Sequence, residues 1–253
     1  GGCGGAMSLL PILPDWPAPS AVRAAFSTRE GGVSVGLHAG LNLGRSSGDD
    51  AAAVAENRNL LAAHLGLPRA PEWLRQVHGT RVVEQPHSPA EPEADAAFTT
   101  QPGIVCCVQA ADCLPVLFCD DEASVVAAAH AGWRGLCSGV LESTVAALPV
   151  DASRLMAWLG PAIGPEAFEV GEEVRDAFVA VDPQAAACFR PGAARGKHYA
   201  DLFALARLRL ARAGVSRVYG GGISTHADPA RFYSFRRNGI CGRMAALIWI
   251  DRA

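Results

Sequence analysis

Apolar residues fall along this chain in short runs of strand length, and the breaks between them are rich in Gly, Pro, Asn and Asp. The centre is the most strand-like region. Residues 104–109, 114–119 and 124–129 are three apolar runs separated by short polar breaks, which predicts three buried strands with tight connections. Loose alternation over 22–27 predicts an earlier strand, and 74–77 and 81–84 predict two short ones flanking His78-Gly79. Further strands are expected at 155–159, 215–220 and 245–250.

Helical periodicity takes over in four places. Asp49 and Asp50 precede an Ala-rich periodic segment that runs to about Leu65 and is closed by Gly66 and Pro68. After Gly132 the pattern is helical over 136–148, and it is helical again over 170–181 and 201–213. The last of these has Asp201 as N-cap and Gly214 as stop. Residues 28–44 carry Gly31, Gly32, Gly36, Gly40 and Gly44 without helical period, which predicts a long ordered loop. The expected class is α/β or α+β, a mixed sheet with helices outside; strand order does not follow from the pattern. No repeat or linker divides the chain, so residues 7–253 read as one domain, and Gly1 to Ala6 read as an appended tail before Met7.

Composition narrows the functional classes. With 50% hydrophobic residues over 253, the chain can bury a large core without disulfides or a structural metal. A net charge of −3 with no basic run argues against nucleic acid as a partner. No apolar stretch approaches the ~20 residues of a membrane helix. The eight cysteines include no CxxC pair, and Cys106, Cys107 and Cys119 lie in apolar runs, so reduced thiols and a cytoplasmic location are expected.

Candidate chemistry sits where apolar runs end. His38, His64, His87, His198 and His226 occupy polar loops or a helix end and read as surface residues. His130 instead follows a buried run and leads into Ala131-Gly132-Trp133-Arg134, Cys113 follows Asp112 in the break between two runs, and His78 precedes Gly79. Strand ends that face glycine-bearing turns are where α/β proteins place ligand contacts. Two imidazoles and a thiol suit a zinc site with an open fourth position, though their spacing matches no compact zinc motif. Spacing alone therefore leaves ligands and satisfied structural residues both open. Arg29, Arg134, Arg236, Arg237 and Arg243 form a second group, suited to an anion such as phosphate or to ordinary ion pairing. P-loop, dinucleotide-binding and GxSxG patterns are absent.

The ordered blocks Ser27-Thr28-Arg29-Glu30-Gly31-Gly32, Leu41-Asn42-Leu43-Gly44, Asn57-Arg58, Gln76-Val77-His78-Gly79, Ala111-Asp112-Cys113-Leu114-Pro115 and Ala129-His130-Ala131-Gly132-Trp133-Arg134-Gly135 resemble the YfiH/YlmD "laccase domain" family. The likeness continues through Leu159-Gly160-Pro161 and Gly242-Arg243-Met244 and covers nearly the whole chain. It implies a four-layer α-β-β-α domain with mixed sheets, similar to a cytotoxic-necrotizing-factor catalytic domain. It also implies zinc on His78, Cys113 and His130, with copper the less expected ion: one such set cannot hold the several coppers of a true laccase. The implied activity is phosphorolysis of purine nucleosides (adenosine, inosine, methylthioadenosine) with adenosine deamination beside it, so purine nucleoside and phosphate are the expected partners. Cys113, His130, His78 and Asp112 are then the catalytic candidates, Asp112 as an orienting or proton-shuttling group. Arg29, Asn42, Arg134 and Arg243 are the substrate-contact candidates. The chain departs from the family in having Ser224-Thr225 where relatives often carry Cys-Thr. Two other readings remain: a cysteine amidase using Cys113 with His130 or His78 on peptidoglycan-precursor-type amides, and a metal-holding or partner-binding module.

Overall fold

The computed structural model describes residues 8–251, so the expectation for Gly1 to Ala6 lies outside the described residues. Six strands form the larger sheet: β2 (Val82–Glu84), β3 (Ala96–Thr99), β5 (Leu114–Asp120), β6 (Val126–Ala131), β7 (Leu155–Leu159) and β11 (Arg217–Gly220). Their order is β11-β7-β5-β6-β3-β2, with the two outermost pairs parallel and the inner pairs antiparallel. A smaller antiparallel sheet has the order β1 (Val22–Phe26), β12 (Met244–Ile250), β4 (Val105–Ala110). A third small sheet joins β8 (Glu169–Gly171), β10 (Lys197–Ala200) and β9 (Phe189–Pro191).

Strand alternation sorts the side chains into three apolar layers. On β5, Leu114, Val116 and Phe118 pack under helices α3 (Val140–Ala147) and α5 (Leu202–Arg212), while Leu117 and Cys119 face the other sheet. That inter-sheet layer is completed by Cys106 and Val108 of β4 and Ala246 and Ile248 of β12. The opposite faces of the same strands, through Val105, Cys107, Leu247 and Trp249, pack against Leu61 of α1 (Ala51–Leu65). The result is helices, sheet, sheet, helix: the expected four-layer α-β-β-α arrangement. The abundant alanines of β6 let the two sheets and the helices approach closely.

Several local expectations change. The helix expected over 136–148 is two, α2 (Trp133–Ser138) and α3, because Gly139 at φ 102 turns the chain between them. Residues 74–77 make only an isolated bridge at Arg75 instead of a strand. The segment 170–181 begins as β8 before α4 (Glu172–Val181) starts. No helix among the described residues is long and apolar enough to cross a membrane.

Candidate metal centre and its cavity

Three segments bring His78, Cys113 and His130 together. His130 lies within β6 opposite Pro115 of β5, Cys113 immediately precedes β5, and His78 sits in the loop before β2. One ligand atom from each lies within 4.8 Å of the others, and Cys113 Sγ is 3.8 Å from His78 Nε2. The two imidazoles meet edge to face at 4.9 Å between centroids. Gly132 makes the approach possible: a Cβ there would come within 2.9 Å of His78 Cδ2 and 3.0 Å of Cys113 Sγ. A tetrahedral zinc with bonds of about 2.0–2.3 Å sets its donors roughly 3.3–3.8 Å apart; the Cys113–His78 separation of 3.8 Å matches that span, and the outer limit of the set, 4.8 Å, lies about 1 Å beyond it. His130 is buried and His78 exposed, which leaves the open side of the cluster toward solvent.

Asp95, which the sequence reading did not single out, organises this corner. Its Oδ2 is 2.8 Å from His130 Nδ1, and it is fully buried. The same carboxylate accepts the backbone N–H of Val77, His78 and Gly79 at 3.0, 2.9 and 2.8 Å. Its backbone carbonyl takes the N–H of His130 at 2.7 Å. A carboxylate that holds Nδ1–H presents Nε2 as the ligand nitrogen, a familiar support for metal-binding histidines. The only sequence signal was one acidic residue inside the apolar stretch Ala94-Asp95-Ala96-Ala97.

Electrostatics match the geometry. Burial opposes ionisation of Cys113, but the charge of His130 and hydrogen bonds from His130 and His78 prevail and bring the thiol down to about 6. Burial likewise disfavours the His130 cation, yet Cys113 and Asp95 raise that imidazole to about 9. A thiolate held between imidazoles is ready to bind a metal or to attack an electrophile.

The cluster opens into a cavity of about 780 Å³ whose walls include Trp73, Trp133, Phe168, Phe235, Glu173, Arg45, Arg58, Arg134 and Arg243. Sequence and structure comparisons fall on this architecture. Residues 23–251 match the family described as multi-copper polyphenol oxidoreductase laccase. The chain belongs to this family. It is 53% identical over 244 residues to a purine nucleoside phosphorylase of Pseudomonas aeruginosa, covering 95% of this chain and 98% of that one. Purine nucleoside phosphorylase YfiH of Escherichia coli is 51% identical over 240 residues, covering 94% and 98%. A crystal structure of a Neisseria meningitidis protein superposes with a TM-score of 0.92 at 49% identity, covering 96% of this chain and 99% of that one. YlmD of Geobacillus stearothermophilus gives 0.89 at 30%, covering 98% and 99%.

Within this laccase-family chain the remaining candidates separate. Arg134 and Arg243 line the cavity, Arg134 with its guanidinium 4.6 Å over the Trp133 ring. Arg29 and Asn42 do not. Arg29 lies 4.5 Å over the Tyr233 ring and donates to the carbonyls of Ala39 and Pro229, which ties loops together. Asn42 is fully buried, and its Oδ1 accepts the N–H of Gly44 and of Arg243 at 2.9 and 2.8 Å. Asp112 has both carboxylate oxygens engaged: Oδ1 accepts from Thr225, Oδ2 from Ser234 and from the N–H of Arg236. At φ 98 it pins three loops around the neighbouring Cys113, which suits a positioning role better than a proton shuttle. Ser224 accepts the N–H of Gly164 and Ala227 in the same loop cluster. His38, expected at the surface, is buried with Nε2 2.9 Å from the carbonyl of Ser47.

Proposed function

We propose that this chain is a zinc-dependent purine nucleoside phosphorylase that also deaminates adenosine. The reading is carried by the meeting of His78, Cys113 and His130 beside a cavity of small-molecule size, in a chain about half identical to proteins named purine nucleoside phosphorylase. Zinc bound there supplies a Lewis acid that polarises an oxygen of phosphate or water. Asp95 fixes the tautomer of His130, and Asp112 fixes the turn that carries Cys113. Trp133 and Phe168 offer apolar aromatic surface to a purine and keep water from it. In phosphorolysis a phosphate oxygen attacks the anomeric carbon as its bond to the purine nitrogen breaks. Arg134 and Arg243 of the cavity wall hold the phosphate charge against that developing cation.

Zinc-loaded protein incubated with adenosine, with and without phosphate, tests the reading by chromatography of the products. Adenine that forms only with phosphate, beside inosine formed without it, is the expected result. Adenosine returned intact under both conditions overturns it.

One observation favours a second reading. The Cys113 thiolate beside His130 also has the chemistry of a cysteine nucleophile, which would make the chain an amidase. Metal separates the two: zinc protects a ligand thiolate from alkylation, and a nucleophile works without it.

A further inference from the structure

About half of the described arginines pair with carboxylates. Buried Arg209 meets Glu142 at 2.8 Å, Arg75 meets Glu93 at 2.8 Å, and Arg154 meets Asp120, Asp121 and Glu122. In the cavity wall the guanidinium groups of Arg58, Arg134, Arg236 and Arg243 have no carboxylate partner among the described residues, and two of these, Arg58 and Arg243, meet at one turn. Arg58, from α1, lies flat over Trp73 at 3.7 Å, and its Nε and Nη2 both donate to the Leu43 carbonyl at 3.0 and 2.8 Å. Its Nη1 has no acceptor and no carboxylate pairs with it among the described residues.

Arg243 is set beside the same turn. Its backbone N–H donates to Asn42, and its carbonyl accepts the Leu43 N–H at 3.0 Å. Its stem crosses Gly44 so closely that a Cβ there would lie 2.7 Å from Arg243 Cγ. Nη1 donates to the carbonyls of Cys241 and Gly242 at 2.9 and 3.0 Å, while Nε and Nη2 find no acceptor among the described residues. Arg45 stands next to them at the rim, paired with Glu91 at 2.7 Å. All three line the cavity that holds His78, Cys113 and His130. Burial and the Arg45 charge draw Arg58 down to about 10 against the opposing pull of Cys107 and Glu91, so it stays protonated at neutral pH.

An aromatic platform, a glycine that admits a crossing side chain and the buried amides of Asn42 and Asn57, which hold the turn, fix in place two cations that no carboxylate pairs, and such charges are costly to keep from water. Guanidinium forks match the oxygens of a phosphate dianion. We propose that Arg58 and Arg243, with Arg45 at the rim, form the inorganic phosphate subsite of this cavity. The assignment rests on the phosphorolysis reading and names the residues that hold its co-substrate.

The test compares wild type with R58Q, R243Q, R58K and, as a control at the same cavity, R75Q. Two readouts are taken on the zinc-loaded protein: steady-state constants for phosphate and for adenosine, and the phosphate-dependent rise in Tm, with adenosine 5′-phosphate as a second probe. Loss of a charge-assisted contact corresponds to about a 10- to 100-fold rise in KM for phosphate. R58Q and R243Q should show that rise with little change in KM for adenosine, R58K should recover part of it, and R75Q should show none. The phosphate-dependent rise in Tm should disappear in R58Q and R243Q. Their phosphate-free Tm shows whether they fold.

An unchanged phosphate constant in folded R58Q and R243Q, or an equal rise in R75Q, overturns the assignment. So does an arginine-dependent Tm shift with adenosine 5′-phosphate and none with inorganic phosphate, since the anion is then carried by the substrate. If wild type performs no phosphorolysis yet phosphate stabilises it through Arg58 and Arg243, the subsite stands and the phosphorolysis reading falls.

Discussion

At one end of the cavity, Cys113 and His130 are fixed by adjacent strands of the larger sheet, and one carboxylate, Asp95, gathers the backbone of His78 to them. At the other end, Arg58 of α1 and Arg243, just before β12, both reach the turn around Leu43, and that turn is held from beneath by Asn42 and Asn57, both fully buried. Asn57 accepts the N–H of Val33 at 2.8 Å and donates to Ser34 and to the Asn42 carbonyl at 2.9 Å each. The contrast teaches that the candidate donor set is anchored at strand ends through a single carboxylate, whereas the arginine wall is held by a turn whose backbone is satisfied by amides.

The most severe way to break the comparison is Cys113→Ala. Two imidazoles remain, so metal retention and turnover should both be lost while Arg58 and Arg243 are untouched; metal analysis and activity check this, and an active metal-free variant would sink the zinc mechanism. Asp95→Asn attacks the support of the same end. Its amide nitrogen cannot accept the Val77, His78 and Gly79 amides together, so metal affinity should fall about 10- to 100-fold, read by competition with a chelator. Acid should mimic this change. Burial opposes the Asp95 charge, but His130 and the backbone amides prevail and lower its pKa, so the stability it contributes is present above the ordinary carboxylate range and is lost as pH falls through the lowered value.

Asn57→Ala strikes the arginine end instead. Stability should drop by about 2–4 kcal/mol from the unsatisfied buried partners, with metal content unchanged in the folded fraction. Loss of metal with it would show that the two ends are not independent. The mildest probe is alkylation of metal-free protein against pH. Cys113 should react with a midpoint near 6, falling about tenfold per pH unit below it, and zinc should suppress the reaction. A midpoint near 8.5, the value of an unperturbed thiol, would mean that the His130 cation does not act on it.

Much of the frame was legible because its signals are local. β5, β7 and β12 are continuous apolar runs, and α1 carries its own Asp50 cap and Gly66 stop. β3 was missed because Ala96-Ala97-Phe98-Thr99 has little strand propensity and becomes a strand by pairing with β6. The candidate trio of His78, Cys113 and His130 showed itself as polar residues at the ends of apolar runs. The contacts of Arg29 and Asn42 were not legible because a glycine-rich loop next to them looks like a binding loop, while the partners the structure gives them, Tyr233 and Arg243, are some 200 positions away. Arg58 stayed hidden inside a helical pattern for the same reason: no local rule records that it stacks on Trp73.

Asp95 has one more consequence, and it concerns time. The amide protons of Val77, His78 and Gly79 all end on this carboxylate, and that of His130 ends on its carbonyl. None of the four can meet solvent without disturbing the attachment the others share. Although His78 is exposed, these amides should exchange with deuterium slowly and at a common rate, as a single opening unit spanning two distant stretches of sequence.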